Sequence, residues 1–182
     1  MGTRGLTYFY PSEKTDEQPI LCVYRQYDSY PEGHGIDLAE FLEPFTLVNG
    51  IPVGDTRKLA NGMGCLAAQF VAHFKKEAGG FYVEPAILNQ ACGQEYEYHV
   101  FADKVVVYAN EYPENNKLFE GTWAELKDFC QSKFDFVESS DGNKYYRVRT
   151  AKSGKMYCDC KGFEVRGSCR HINEVTAQRK VA

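Results

Sequence analysis

Near the C-terminus, four side chains of metal-ligand type fall within fourteen residues: Cys158, Cys160, Cys169 and His171. Their spacing, Cys-x-Cys-x8-Cys-x-His, offers three soft thiolates and one imidazole, with no carboxylate. That set suits tetrahedral zinc and fills its coordination shell. A closed shell leaves no position for a reactive water, so the expected Zn2+ is structural rather than hydrolytic. A redox pair fits less well, because no Cys-x-x-Cys stands within a βαβ pattern.

The spacing also constrains the chain. Two thiolates in Cys-x-Cys would project to opposite faces of an ideal strand, so the backbone must curl at Cys160, with Lys161-Gly162 at the expected turn. In Cys-x-His, Cys169 is expected just before a helix and His171 in its first turn. Upstream, KYYRVRTAKSGKMYCDC reads as two strands joined around Lys152-Ser153-Gly154. KGFEVRGS reads as a loop and CRHINEVTAQRK as a final helix, which gives a small ββα module. A segment of about forty residues cannot be stabilised by core burial alone, so the metal is expected to staple it.

Charge sets this tail apart. Residues 144–182 hold ten basic and three acidic side chains, +7, whereas residues 1–143 hold eleven basic and twenty-two acidic, −11. Three thiolates with Zn2+ add −1 and leave the module strongly basic. The natural partner for such a surface is a nucleic-acid backbone, with DNA foremost, bound in a salt-dependent way. The candidate phosphate contacts are Arg147, Arg149, Lys152, Lys155, Lys161, Arg166 and Arg170. Lys161, Arg166 and Arg170 could equally screen thiolate charge, and the whole tail could dock on its own acidic body. Tyr145, Tyr146, Tyr157 and Phe163 can pack the small core or stack bases.

The run from Tyr146 and Val148 through Cys158, Cys160, Phe163, Gly167, Cys169, His171 and Ile172 resembles a SWIM-type zinc finger over residues 144–178. The eight-residue linker between the ligand pairs lies within that pattern. The resemblance implies zinc and a module that contacts DNA or protein, as in chromatin remodellers, transposases and recombination factors.

The N-terminal part is less explicit. MGTRGL, followed by DSYPEGHG (matched at Asp28, Ser29, Tyr30, Pro31, Glu32, Gly33 and Gly35), resembles uncharacterised proteins common in bacteriophages and large DNA viruses. That likeness implies a viral origin and carries no function. Asp28, Glu32 and His34 are acid–base types on a constrained loop, as in an active site, but the same residues describe an ordinary strand-to-helix turn. The start also resembles the opening of N-terminal-nucleophile amide hydrolases, with Gly2 where the nucleophilic Cys would stand. The pattern Gly62-Met63-Gly64 before a helix could admit a phosphate, or simply serve as a helix entry.

The elements that must position these groups follow from periodicity. LTYFY (6–10) and ILCVYRQY (20–27) read as a hairpin with a long polar loop, and EYEYHVFADKVVVYANEY as two strands around Ala102-Asp103. IDLAEFLEPF, CLAAQFVAHFKKEAGG and TWAELKDFCQSKF read as helices, the last with a Thr122–Glu125 capping box. LVNGIPVGDTRKLANGMG reads as a loop. The expected fold is α+β, a mixed or antiparallel sheet with packed helices over residues 1–138, followed by the zinc-stabilised module at 139–182.

Composition is globular, with 43% hydrophobic and 25% charged residues among 182. No stretch reaches the ~18–20 apolar residues of a membrane span, and no secretory signal opens the chain. Four of seven cysteines (Cys22, Cys65, Cys92 and Cys130) are scattered singly, as small core residues of a reducing, intracellular compartment. Three functional expectations result: a zinc-dependent nucleic-acid or protein binder, a small-molecule or peptide hydrolase using the Asp28–His34 loop, or an adaptor that takes over a host protein or blocks host defence.

Overall fold

The computed structural model describes residues 2–12, 17–50, 54–88, 90–110, 116–140, 142, 145–151 and 153–181. The chain forms two compact units that divide between Cys130 and Gln131. Both are mixtures of strand and helix. Among the described residues, no helix is long and apolar enough to cross a membrane.

The first unit is built on a six-stranded mixed sheet. Strands β1 (Gly5–Phe9) and β2 (Leu21–Arg25) pair antiparallel, Tyr8 opposite Cys22, as the two β-rich runs predict. In the full order β5-β2-β1-β6-β7-β8, β1 lies beside β6 (Tyr96–Val100) in parallel, and the other neighbours are antiparallel. β5 (Phe81–Glu84) lies at one edge; β7 (Val105–Ala109) and β8 (Asn116–Gly121) complete the other side.

Every residue of β1 is buried, because both faces of the strand are covered. Leu6, Tyr8 and Tyr10 enter one cluster with Cys22, Phe101 and Val106. Phe9 faces the other way, its ring 4.9 Å from that of Phe70. Phe70 belongs to α2 (Gly62–Phe74), where Met63, Leu66, Ala67 and Phe70 are the buried positions. That spacing is the apolar stripe of a surface helix. Phe41 of α1 (Ile36–Leu42) packs edge-on against Phe70 at 5.5 Å.

Segment 47–64, expected to be loop, instead takes part in a short parallel pair, β3 (Phe45–Val48) with β4 (Lys58–Asn61), and its last three residues open α2. Helix α3 (Trp123–Cys130) begins at the expected box: Glu125 accepts from the Thr122 amide at 2.8 Å. It ends four residues earlier than its periodicity suggests, since Lys133–Glu138 is strand β9.

β9 belongs to the second unit, where the sheet order is β11-β10-β9. β10 (Tyr145–Thr150) pairs antiparallel with both β9 and β11 (Met156–Cys158). The expected loop KGFEVRGS is instead mostly helix, α4 (Lys161–Arg166), closed by Gly167 at φ 68°. α5 (Arg170–Val181) follows. The module is therefore a three-stranded sheet with two helices, rather than ββα. Its core joins Val137, Val148 and Val175 to the three cysteines.

Candidate metal centre

Each of the four candidate ligands sits at the end of an element. Cys158 closes β11, opposite Val148 of the central strand. One residue later the chain leaves the sheet, and Cys160, at φ −79° and ψ 147°, becomes the N-cap of α4. Its sulfur accepts the Phe163 amide at 3.3 Å. The curl required by Cys-x-Cys is thus a helix start, with Lys161-Gly162 in its first turn. Cys169 immediately precedes α5, and its carbonyl accepts the Asn173 amide at 3.3 Å. His171 lies in the first turn of α5, as the spacing predicts.

These placements bring the four side chains together. Their donor atoms lie within 4.8 Å of one another, and all four residues are buried. Cys158 Sγ is 3.5 Å from His171 Nδ1. The Tyr146 ring tilts against the imidazole, 4.5 Å between centroids. Four convergent donors, none of them exposed, are placed to hold one metal ion.

The thiols are not equivalent. Burial raises the pKa of Cys158, the bonds to neighbouring thiols adding to the effect. At Cys160 burial opposes the thiolate too, but the Phe163 amide and the Cys158 thiol outweigh it and lower the pKa. Of Cys158 and Cys160, the latter ionises more readily, as expected for a sulfur capping a helix N-terminus.

Asp159, between the first two cysteines, extends the sheet. Its Oδ1 accepts the Arg147 amide at 3.0 Å, and its own amide donates to the Arg147 carbonyl at 3.3 Å. The Arg147 side chain points to the same carboxylate at 3.5 Å. Arg149 donates to Ser132 Oγ at 3.1 Å, and its guanidinium lies 4.4 Å over the Tyr157 ring. Arg170 donates to the Glu138 carbonyl at 2.9 Å. Lys155 lies 5.1 Å from the Tyr157 ring, and Lys161 and Arg166 are exposed on α4. Lys152 falls outside the described residues. The expected phosphate contacts therefore divide into Arg147, Arg149 and Arg170, engaged within the unit, and Lys155, Lys161 and Arg166, whose charges meet solvent.

In the first unit the Asp28–His34 loop is a packed turn. Asp28 adopts φ 55°, rare outside glycine. Its carbonyl accepts the His34 amide at 2.8 Å, and Pro31–Gly35 forms a π-helical turn that runs into α1. His34 is 1% exposed. Arg25 can only donate, so the 3.0 Å contact to Nδ1 places the imidazole proton on Nε2, which donates to Thr7 Oγ1 at 2.8 Å. Burial, aided by Arg25, lowers the pKa of His34 to about 3, so the ring is neutral. Asp28 and Glu32 are exposed, whereas His34 is buried. Arg25, Asp28 and Asp37 instead border a cleft of about 380 Å³ with Lys75, Lys76 and Glu77.

One polar network gave no signal in the sequence. Tyr10 Oη lies 2.6 Å from His99 Nδ1, and His99 Nε2 lies 3.2 Å from Glu97. Gln94 and Asn110 donate to the same carboxylate. Burial opposes its charge, but these hydrogen bonds pull the pKa of Glu97 to about 2. Tyr10 directly follows β1, Gln94 precedes β6, Glu97 and His99 lie on β6 and Asn110 directly follows β7, so only strand pairing unites them.

Compared with known proteins, the chain matches no family model, no curated protein and no solved structure. Fold and site together define a two-unit α+β protein with a buried Cys3His cluster, placed to hold a metal ion, in its C-terminal unit.

Proposed function

We propose that this is a zinc protein whose C-terminal unit attaches it to nucleic acid. The observation that carries the reading is the convergence of Cys158, Cys160, Cys169 and His171 in one buried cluster. Three thiolates and an imidazole select a borderline-soft, tetrahedral ion. Zn–S and Zn–N bonds of about 2.3 and 2.0 Å separate sulfur from nitrogen by about 3.5 Å across a tetrahedron. The Cys158–His171 spacing of 3.5 Å supports that ion. The resemblance to SWIM-type fingers supports the same metal, and with all four positions taken by protein the zinc organises structure.

Charge supports the partner. Residues 131–182 hold eleven basic and six acidic side chains, +5, against −9 for residues 1–130. Nucleic-acid contact through Lys155, Lys161 and Arg166 needs no rupture of an internal ion pair. Binding should then be modest and salt-dependent. Neutralising about three phosphates of a single strand gives a loss of roughly 20-fold between 50 and 200 mM salt. The test is fluorescence anisotropy of labelled oligonucleotides with the full-length protein, zinc-loaded and zinc-stripped. The reading expects salt-dependent binding only with zinc, and no binding at 50 mM salt would refute it.

A further inference from the structure

The sheet of the second unit has one covered face and one open face. Val137, Val148 and Cys158 point inward to the core that includes Val175 of α5. Alternate positions therefore point outward. In the observed register Phe136 stands opposite Arg147, Tyr145 opposite Glu138, and Arg149 opposite Tyr157. Phe136 and Tyr145 are diagonal neighbours on adjacent strands, and they are 66% and 64% exposed. Two large rings that close to solvent are an unusual use of apolar surface, and paired exposed rings mark a contact site. The neighbouring Tyr157 already carries a cation on its face, with Arg149 at 4.4 Å and Lys155 at 5.1 Å.

We propose that this outer face binds single-stranded nucleic acid, with bases stacked on Phe136 and Tyr145. The inference rests on the nucleic-acid reading above and names both the strandedness and the surface. Every base has a π-face, so exposed rings on a sheet accept bases without regard to sequence. In a duplex those faces are occupied by neighbouring bases, so only an unpaired strand can use the rings. The +5 charge of the unit complements a phosphate backbone, and Lys155 beside Tyr157 supplies a cation at the edge of the platform. A second copy of this chain would bring two +5 units together, which charge disfavours.

The experiment uses full-length, zinc-loaded protein and a fluorescein-labelled oligothymidylate, alone and annealed to its complement. Wild type should bind the single strand more tightly than the duplex. Phe136→Ala and Tyr145→Ala should each weaken single-strand binding roughly 5-fold or more, and together roughly 25-fold or more. The salt dependence should stay unchanged, because no charge is removed. Zinc content per chain checks that the variants fold, and Tyr145→Phe, which keeps the ring, should bind like wild type. If wild type binds both probes and the alanine variants match it, this inference fails while the nucleic-acid reading stands. If wild type binds neither at low salt, the nucleic-acid reading fails as well. Variants that convert a dimeric wild type to monomer with unchanged oligonucleotide binding would assign the face to self-association and overturn the proposal.

Discussion

Acidification should destabilise the first unit through one side chain, His34. Its folded-state pKa of about 3 lies well below the ordinary value of 6.5, so the native state takes up this proton less readily than the unfolded chain. The sign follows from linkage: the contribution is fully present above pH 6.5 and is lost as pH falls from 6.5 towards 3. Each pH unit within that window costs about 1.4 kcal/mol, so about 3 kcal/mol is gone by pH 4. That is a large share of the ~5–15 kcal/mol that stabilises a typical domain. Trp123, the only tryptophan, lies in this unit with its indole N–H on the Phe101 carbonyl at 3.0 Å, and reports its unfolding. Urea titrations followed by its fluorescence should be run between pH 7 and 4.5 on wild type and His34→Gln. The variant keeps a neutral donor and acceptor but cannot titrate. It should be less stable at pH 7, with a deficit that shrinks by about 1.4 kcal/mol per pH unit below 6.5. A deficit independent of pH, or an imidazole that titrates near 6.5 by NMR, would refute the buried, neutral His34 and reopen an acid–base role for the loop.

Other predictions concern backbone and boundaries. Gly33→Ala would place a Cβ 2.5 Å from the Asp28 carbonyl oxygen and 3.0 Å from the Tyr30 ring. The backbone must move to admit it, and a loss of about 1–3 kcal/mol should appear as a lower melting temperature. A fragment of residues 131–182 should fold with zinc, whereas 139–182 should not, because it lacks β9 and with it six paired residues and Val137. Circular dichroism of the two fragments during zinc titration separates these outcomes.

Much of the metal cluster was legible because its signal is local. Cys-x-Cys and Cys-x-His place ligands at the ends of short elements, and convergence follows from one sheet and two helix starts. The paired strands β1–β2 and β6–β7 were legible for a similar reason, since dense Val, Tyr and Phe runs flank recognisable breaks. Weaker strands were not. β8 reads NKLFEG and β4 reads KLAN, too polar to separate from loop, and sheet partners override that composition. β9 carries a signal, the alternation in KFDFVE, but it follows the pattern of α3 without a break and so reads as a continuation of the helix. α4 lies in a glycine-flanked stretch, and its start depends on the Cys160 cap. DSYPEGHG was open to two readings because the same residues serve turns and active sites. Only the burial of His34 and its bonds to Thr7 and Arg25 separate them.

In the function proposed above, zinc holds the C-terminal unit together. Among the described residues, the buried core cluster of that unit includes three valines, Val137, Val148 and Val175, which contribute about 1.5–3 kcal/mol each on burial. Structural zinc supplies about 10–16 kcal/mol at neutral pH, more than the three together. The most direct measurement is metal analysis of the purified protein combined with X-ray absorption at the zinc edge. One zinc per chain is expected, in a shell of three sulfurs at about 2.3 Å and one nitrogen at about 2.0 Å. A metal-free protein whose residues 131–182 resist proteolysis, or a shell containing oxygen in place of sulfur, would contradict it.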